Sequence, residues 1–144
     1  MIDLLRRLLA PEPERLPEPD AELALAALLV RIAKTDGLYA AEEVERIDRV
    51  LAHRHGLDPF AAAKLRSEAE ALESEAPDTV RFTRALKDAV AIEDRAELMT
   101  ALWSVALADG LREAHEDRLM RLVANLLGLT DVESALARQK AELE

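Results

Sequence analysis

Ala33-Lys34-Thr35-Asp36-Gly37-Leu38 recurs 73 residues later as Ala106-Leu107-Ala108-Asp109-Gly110-Leu111. In each copy the Asp-Gly pair closes a strongly apolar stretch and opens an amphipathic one that begins with acids. The register holds outward through Leu29/Leu102, Ile32/Val105, Ala41/Ala114, Glu43/Glu116, Ile47/Met120 and Val50/Val123. It slips by one residue before Gly56-Leu57 and Gly128-Leu129. A pattern kept over that length predicts a duplicated helical hairpin, its halves related by a pseudo-twofold axis.

The residues available to build such a unit favour helix throughout. Ala, Leu, Glu and Arg dominate and aromatic residues make up 3% of the chain, a mixture rich in helix formers and poor in the side chains that favour strands. An all-α fold follows, and 144 residues suit one domain. With no cysteine, neither a disulfide framework nor a thiolate zinc site is available. A reducing cytoplasm is the expected setting.

Net charge is −10, which opposes attraction to phosphate backbones and anionic lipid surfaces. Nucleic acid is therefore not an expected partner. The longest apolar run, Leu23 to Val30, falls well short of the ~20 residues that span a bilayer, so direct membrane insertion is not expected. The opening MIDLLRRLLAP carries Asp3, Arg6 and Arg7 among short apolar runs and does not read as a secretory leader.

Residues 1–20 read as a short helix, with Ile2, Leu5, Leu8 and Leu9 on one side, followed by a proline-rich connector in which four prolines exclude helix. Residues 21–144 form the helical domain. Its first helix starts from Asp20 as N-cap and, interrupted only by Arg31, belongs in the centre of a bundle. An amphipathic helix follows over about 41–55, and His53 and His55 near its end read as surface histidines. Asp58-Pro59 opens an alanine-rich helix to about Glu73 that suits close packing. Asp78 is placed to cap a helix carrying Val80, Leu86, Ala89 and Val90. Asp94 with Glu97, and Thr130 with Glu133, have the spacing of capping boxes. Trp103 reads as core, with an indole N–H that needs one partner.

The first reading of the Asp-Gly pairs is turn chemistry: glycine takes the left-handed conformation after a helix, and a nearby acid serves the loose amides of the next. A sharper reading notes that Asp-Gly with a glutamate six residues after the glycine fits part of a calcium-binding helix-loop-helix. The remaining ligand positions fall on Ile32, Lys34, Val105 and Leu107, which carry no carboxylate, so an EF-hand is rejected. A looser site would form if the two turns approached each other, drawing on Asp36, Glu42, Glu43, Asp109, His115 and Glu116 as oxygen and imidazole donors. Its expected ligand is a divalent metal such as calcium. There is no glycine-rich phosphate loop, paired-histidine zinc motif or nucleophile elbow, so no catalytic residue is assigned.

The duplicated Asp-Gly-Leu turn, with its glutamate six residues on, an apolar helix before it and an amphipathic one after, resembles the TerB-like family of bacterial tellurite resistance proteins over about residues 21–140. Related domains occur in DjlA-type membrane co-chaperones. The resemblance implies a bundle of seven to eight helices with internal pseudo-twofold symmetry and carries over the acids Asp36, Glu43, Asp109 and Glu116. Family members often place Ser-Pro-Glu-Glu after the turn, whereas this chain has Ala40-Ala41-Glu42-Glu43 and Glu113-Ala114-His115-Glu116, without the hydroxyl cap. The implied function is a non-enzymatic module tied to tellurite resistance or stress, acting through protein partners, including membrane or calcium-binding members of the same system. Two alternatives are a metal-dependent enzyme with Glu43, His115 and Glu116 at a site between the repeats, and a structural homo-oligomer packed through the alanine-rich helix.

Overall fold

The computed structural model describes residues 20–35, 37–76, 78–108 and 114–143, with backbone alone for 114–116. Among them are seven α-helices and no strand: α1 (Ala21–Ala33), α2 (Ala41–His55), α3 (Pro59–Glu75), α4 (Val80–Ala89), α5 (Arg95–Ala106), α6 (Ala114–Leu126) and α7 (Asp131–Glu142), with a 3-10 turn at Ile92–Asp94. The helix expected over residues 2–9 and its connector lie outside the described residues.

α1 and α5 form the centre, as their nearly continuous apolar sequence requires. Every residue from Ala24 to Val30, with Ile32 and Ala33, is buried in α1, and Leu98, Met99, Leu102, Trp103, Val105 and Ala106 are buried in α5. The two helices touch each other; α1 packs mainly against α3 and α4, and α5 mainly against α7. α3 and α7 present small residues at the contact, Ala62 and Ala69 from α3, and Ser134, Ala137 and Ala141 from α7. Small side chains let helix axes approach closely, so the alanine-rich surface of α3 is used inside the chain.

Hydrogen bonds recur at the spacing of the sequence repeat. Lys34 N donates to Val30 O at 3.0 Å and Leu107 N to Trp103 O at 2.9 Å, while Thr35 N donates to Ile32 O and Ala108 N to Val105 O. Past α2 and α6, Leu57 N reaches Ala52 O at 3.0 Å and Leu129 N reaches Ala124 O at 2.8 Å, each across a glycine at positive φ, Gly56 and Gly128. Both are helix ends in which glycine turns the chain and its successor bonds back to the last turn. The next helices then open with side-chain caps: Asp58 Oδ1 accepts from Ala61 N at 2.7 Å, and Thr130 Oγ1 from Glu133 N at 3.1 Å.

Three local expectations are corrected. The Asp94–Glu97 capping box does not form; Asp94 is helical and α5 enters through the 3-10 turn. Arg95 holds the junction instead, donating to Val90 O at 3.1 Å, Leu127 O at 3.0 Å and Lys87 O at 3.2 Å. Those carbonyls end α4 and follow α6, so one guanidinium satisfies groups from two helix termini. In α4 the core residues are Phe82, Thr83 and Leu86, whereas Val80 and Ala89 are exposed, because the helix turns its other face to α1 and α6. His55 is a half-buried residue rather than a surface one, since the α1–α2 hairpin brings Glu22 Oε1 to 3.6 Å from its Nδ1.

Candidate functional site

The first Asp-Gly turn is built on the end of α1. Thr35 Oγ1 donates to Ile32 O at 2.6 Å and Gly37 N to Lys34 O at 3.1 Å. Gly37 stands at φ +82, and nothing lies within 4 Å of where a Cβ would point. Glycine is required there by the backbone and not by crowding.

Of the six predicted metal-site residues, Glu42 and Glu43 have described side chains. They follow one another at the start of α2, about 100° apart around the helix; Glu42 is exposed and Glu43 is wholly buried. Glu43 Oε1 accepts from Ala40 N at 3.1 Å. This is half of a capping box: Ala40 has no side-chain acceptor, so the glutamate alone serves the helix start. Asp36 and Asp109 lie outside the described residues. His115 and Glu116 fall within the first turn of α6, and their side chains lie outside the description. Among the described residues no group of three or more His, Asp or Glu is arranged to hold a metal ion.

Two charged networks beneath the turn were not anticipated. Arg31, alone among the apolar residues of α1, donates from Nε to Glu73 Oε2 at 3.3 Å and from Nη2 to Ala76 O at 2.7 Å and Glu73 O at 3.2 Å. Its guanidinium lies 5.1 Å over the Phe82 ring, and Lys34 Nζ sits 3.0 Å from the other oxygen of Glu73. The second network centres on Arg66, whose Nε is 2.6 Å from Asp48 Oδ1 and whose Nη1 is 2.5 Å from Glu70 Oε1. These partners hold the Arg66 guanidinium above its ordinary pKa, the bond to Asp48 contributing most. Tyr39, just after the turn, has its phenol pushed up to about 12 by burial and by Glu70, with Arg66 opposing. It stays protonated at neutral pH and cannot serve as a base. The described acids beneath the turn are thus bound to the chain's own cations and backbone, an arrangement suited to fixing a loop. An arginine in an apolar helix was the available sequence signal for the first network; Arg66 with Glu70, four residues apart, was the signal for the second.

A polar groove of about 280 Å³ lies between α2, α5 and α7, lined among others by His53, Arg54, Glu97 and Lys140. A second recess of about 200 Å³ lies over Trp103, whose Nε1 donates to Ser134 Oγ at 3.1 Å. Trp103 is the predicted core tryptophan, and Ser134 is the partner its indole required.

The family model described as tellurite resistance protein TerB matches residues 22–139. No curated protein and no solved structure matches the chain.

Proposed function

Because the chain belongs to the TerB family of tellurite resistance proteins, we propose that it is an acidic binding module of a cytoplasmic stress response, engaging protein partners and holding a divalent cation between its two Asp-Gly turns. We read the chain, as a member of that family, as acting by binding rather than by catalysis. Membrane-bound or calcium-binding members of a tellurite-resistance system are the partners we assign to it.

The observation that carries this reading is the pairing of hydrogen bonds at the sequence spacing, Lys34 to Val30 with Leu107 to Trp103 and Leu57 to Ala52 with Leu129 to Ala124. We take it as a structural duplication whose pseudo-twofold axis passes between α1 and α5 and sets the two bends side by side. Contacts of α1 with α5 and α6, and of α2 with α5, support that arrangement. The donors would then be Asp36, Glu43, Asp109 and Glu116, together with Glu42 and His115. Four carboxylates without a thiol suit a hard cation such as calcium, which takes about six to eight oxygen ligands.

Calorimetric titration with calcium, magnesium, manganese and zinc, paired with thermal melts, tests the metal part. Saturation at a hundredfold excess over Kd adds about 2.7 kcal/mol of stability; no heat and no shift in Tm at millimolar metal overturns it. Affinity capture from the native host, with and without calcium, tests the partner part, and recovery of no reproducible protein counts against it.

A further inference from the structure

α5 is a central helix, yet one of its faces is polar. Glu97, Thr100 and Ser104, three and four residues apart, share that face with Ala101 and form one wall of the groove of about 280 Å³ between α2, α5 and α7. At the 73-residue spacing of the repeat, the positions in α1 that match Glu97, Thr100, Ala101 and Ser104 hold Ala24, Ala27, Leu28 and Arg31. There α4 packs on α1, with Arg31 lying 5.1 Å over the Phe82 ring, and also touches α6. Among the described residues no helix takes the corresponding place, on α5 and against α2, and the groove lies there. One half of the repeat fills the position with a helix; the other leaves it open and lines it with polar groups.

The groove has a charged end and a hydroxyl end. A neighbouring recess of about 490 Å³ shares His53, Arg54 and Glu97 with it but neither Val50 nor Ser104, so cation and carboxylate meet where the α5 face begins. Ser104 lies about 10 Å further along the helix. Arg54, Glu97 and Lys140 are exposed and, among the described residues, enter no ion pair; Glu97, spaced for a capping box that does not form, keeps its carboxylate for the groove. Thr100 Oγ1 donates to Ala96 O at 3.1 Å and Ser104 Oγ to Ala101 O at 2.7 Å, so each hydroxyl has used its hydrogen and offers lone pairs. We propose that this groove binds a free α-amino acid as its zwitterion, with the carboxylate on Arg54 and Lys140, the ammonium on Glu97 and the side chain over Ala101 and Val50 toward Ser104.

Charge and size select this class of ligand. The field of a chain with net charge −10 repels a free anion, whereas a zwitterion carries no net charge and finds partners of both signs at one end of the groove. Small-molecule sites begin at about 300 Å³ and often lie between the helices of a bundle, so a groove of about 280 Å³ suits a ligand the size of an amino acid. The acceptor at Ser104 favours a side chain that ends in an N–H or O–H, as a carboxamide does. Binding of this kind uses neither the Asp-Gly turns, nor a metal, nor a protein partner, and it stands independently of the function proposed above.

Titration of the full chain with L-glutamine, followed by NMR, tests the proposal. Saturable shifts are expected at the amides of Thr100, Ala101 and Ser104 and at the His53 ring, while the Trp103 indole, in its separate recess, stays in place. Glutaramate, which lacks the ammonium, and γ-aminobutyramide, which lacks the carboxylate, should each bind about tenfold more weakly. Glutamine should lose a similar factor on Arg54→Gln and on Glu97→Gln, both at exposed positions, with an unchanged Tm showing that the fold is intact. The absence of any saturable shift with glutamine at about 50 mM overturns the proposal. Equal binding of glutaramate also overturns it, because the groove would then read a carboxylate alone, and undiminished binding by both variants does so by placing the ligand elsewhere.

Discussion

Arg31 Nη2 donates to Ala76 O at 2.7 Å, fastening the one charged residue between Leu23 and Ala33 to the backbone that ends α3. The same guanidinium takes Glu73 and stacks over Phe82, so it closes a carbonyl, a carboxylate and an aromatic face at once. Arg31→Ala strands those groups in a half-buried site and is expected to destabilise the fold by about 3 kcal/mol in urea unfolding. Arg31→Lys keeps the charge but not the planar fork, and should recover less than half of the loss. Full recovery by lysine would show that charge alone matters.

Glu43 separates the structural from the metal role of the first turn. Glu43→Ala removes the acceptor for Ala40 N and leaves a void under α2, costing about 2–3 kcal/mol. Glu43→Gln retains an oxygen for that amide and should melt closer to the parent. If the turn takes calcium through this carboxylate, the glutamine variant also loses the calcium-dependent rise in Tm while staying folded. A glutamine variant whose Tm still rises with calcium removes Glu43 from the ligand set.

What the sequence made legible was what neighbouring residues decide. Periodicity placed α1 and α5 at the centre, and the Thr130–Glu133 box formed as spaced, because caps and amphipathic faces are local. The networks of Arg31 and Arg95 were not legible, since each joins segments more than thirty residues apart and depends on which carbonyls the packing strands. Asp94 failed as a cap for the same reason: Arg95 already fixes the approach to α5. At the site, the Asp-Gly spacing located the turn, but adjacency in sequence put Glu42 and Glu43 into one ligand set when the helix gives them opposite exposures.

Two glycines at positive φ should respond differently to the same substitution. Gly37→Ala meets open space and costs only the left-handed backbone, about 1–2 kcal/mol. Gly128→Ala incurs that strain and brings its Cβ to 3.4 Å from Arg95 Nη1, the atom that donates to Leu127 O. Thermal melts should therefore rank Gly128→Ala as the more damaging, and the reverse order would mean that Arg95 yields freely.

His55 makes stability fall in mild acid. Burial lowers its pKa below 6.5, with Glu22 opposing. The folded state therefore binds fewer protons than the unfolded one between the depressed value and 6.5. The contribution is fully present above pH 6.5, declines as pH falls through that window and is lost below the folded pKa. His55→Gln should flatten this part of the stability profile, whereas Glu22→Gln should steepen it by removing the charge that favours protonation. NMR titration of the His55 ring gives the folded pKa directly, and a value at or above 6.5 would contradict the burial argument.

The contact between Trp103 and Ser134 offers an optical test of how α7 sits on α5. Trp103 is the chain's only tryptophan and is 6% exposed, and its Nε1 donates to Ser134 Oγ at 3.1 Å. Ser134→Ala leaves that buried N–H unmatched and should cost about 1–2 kcal/mol. Trp103→Phe frees the hydroxyl and reduces the packed volume. If the hydrogen bond is the coupling, the double variant loses less than the sum of the two single ones, because neither unmatched group remains. Circular dichroism follows all three variants, and in Ser134→Ala the indole emission reports whether water has entered. Strict additivity, with unchanged emission in Ser134→Ala, would mean that the Trp103–Ser134 hydrogen bond does not couple α7 to α5.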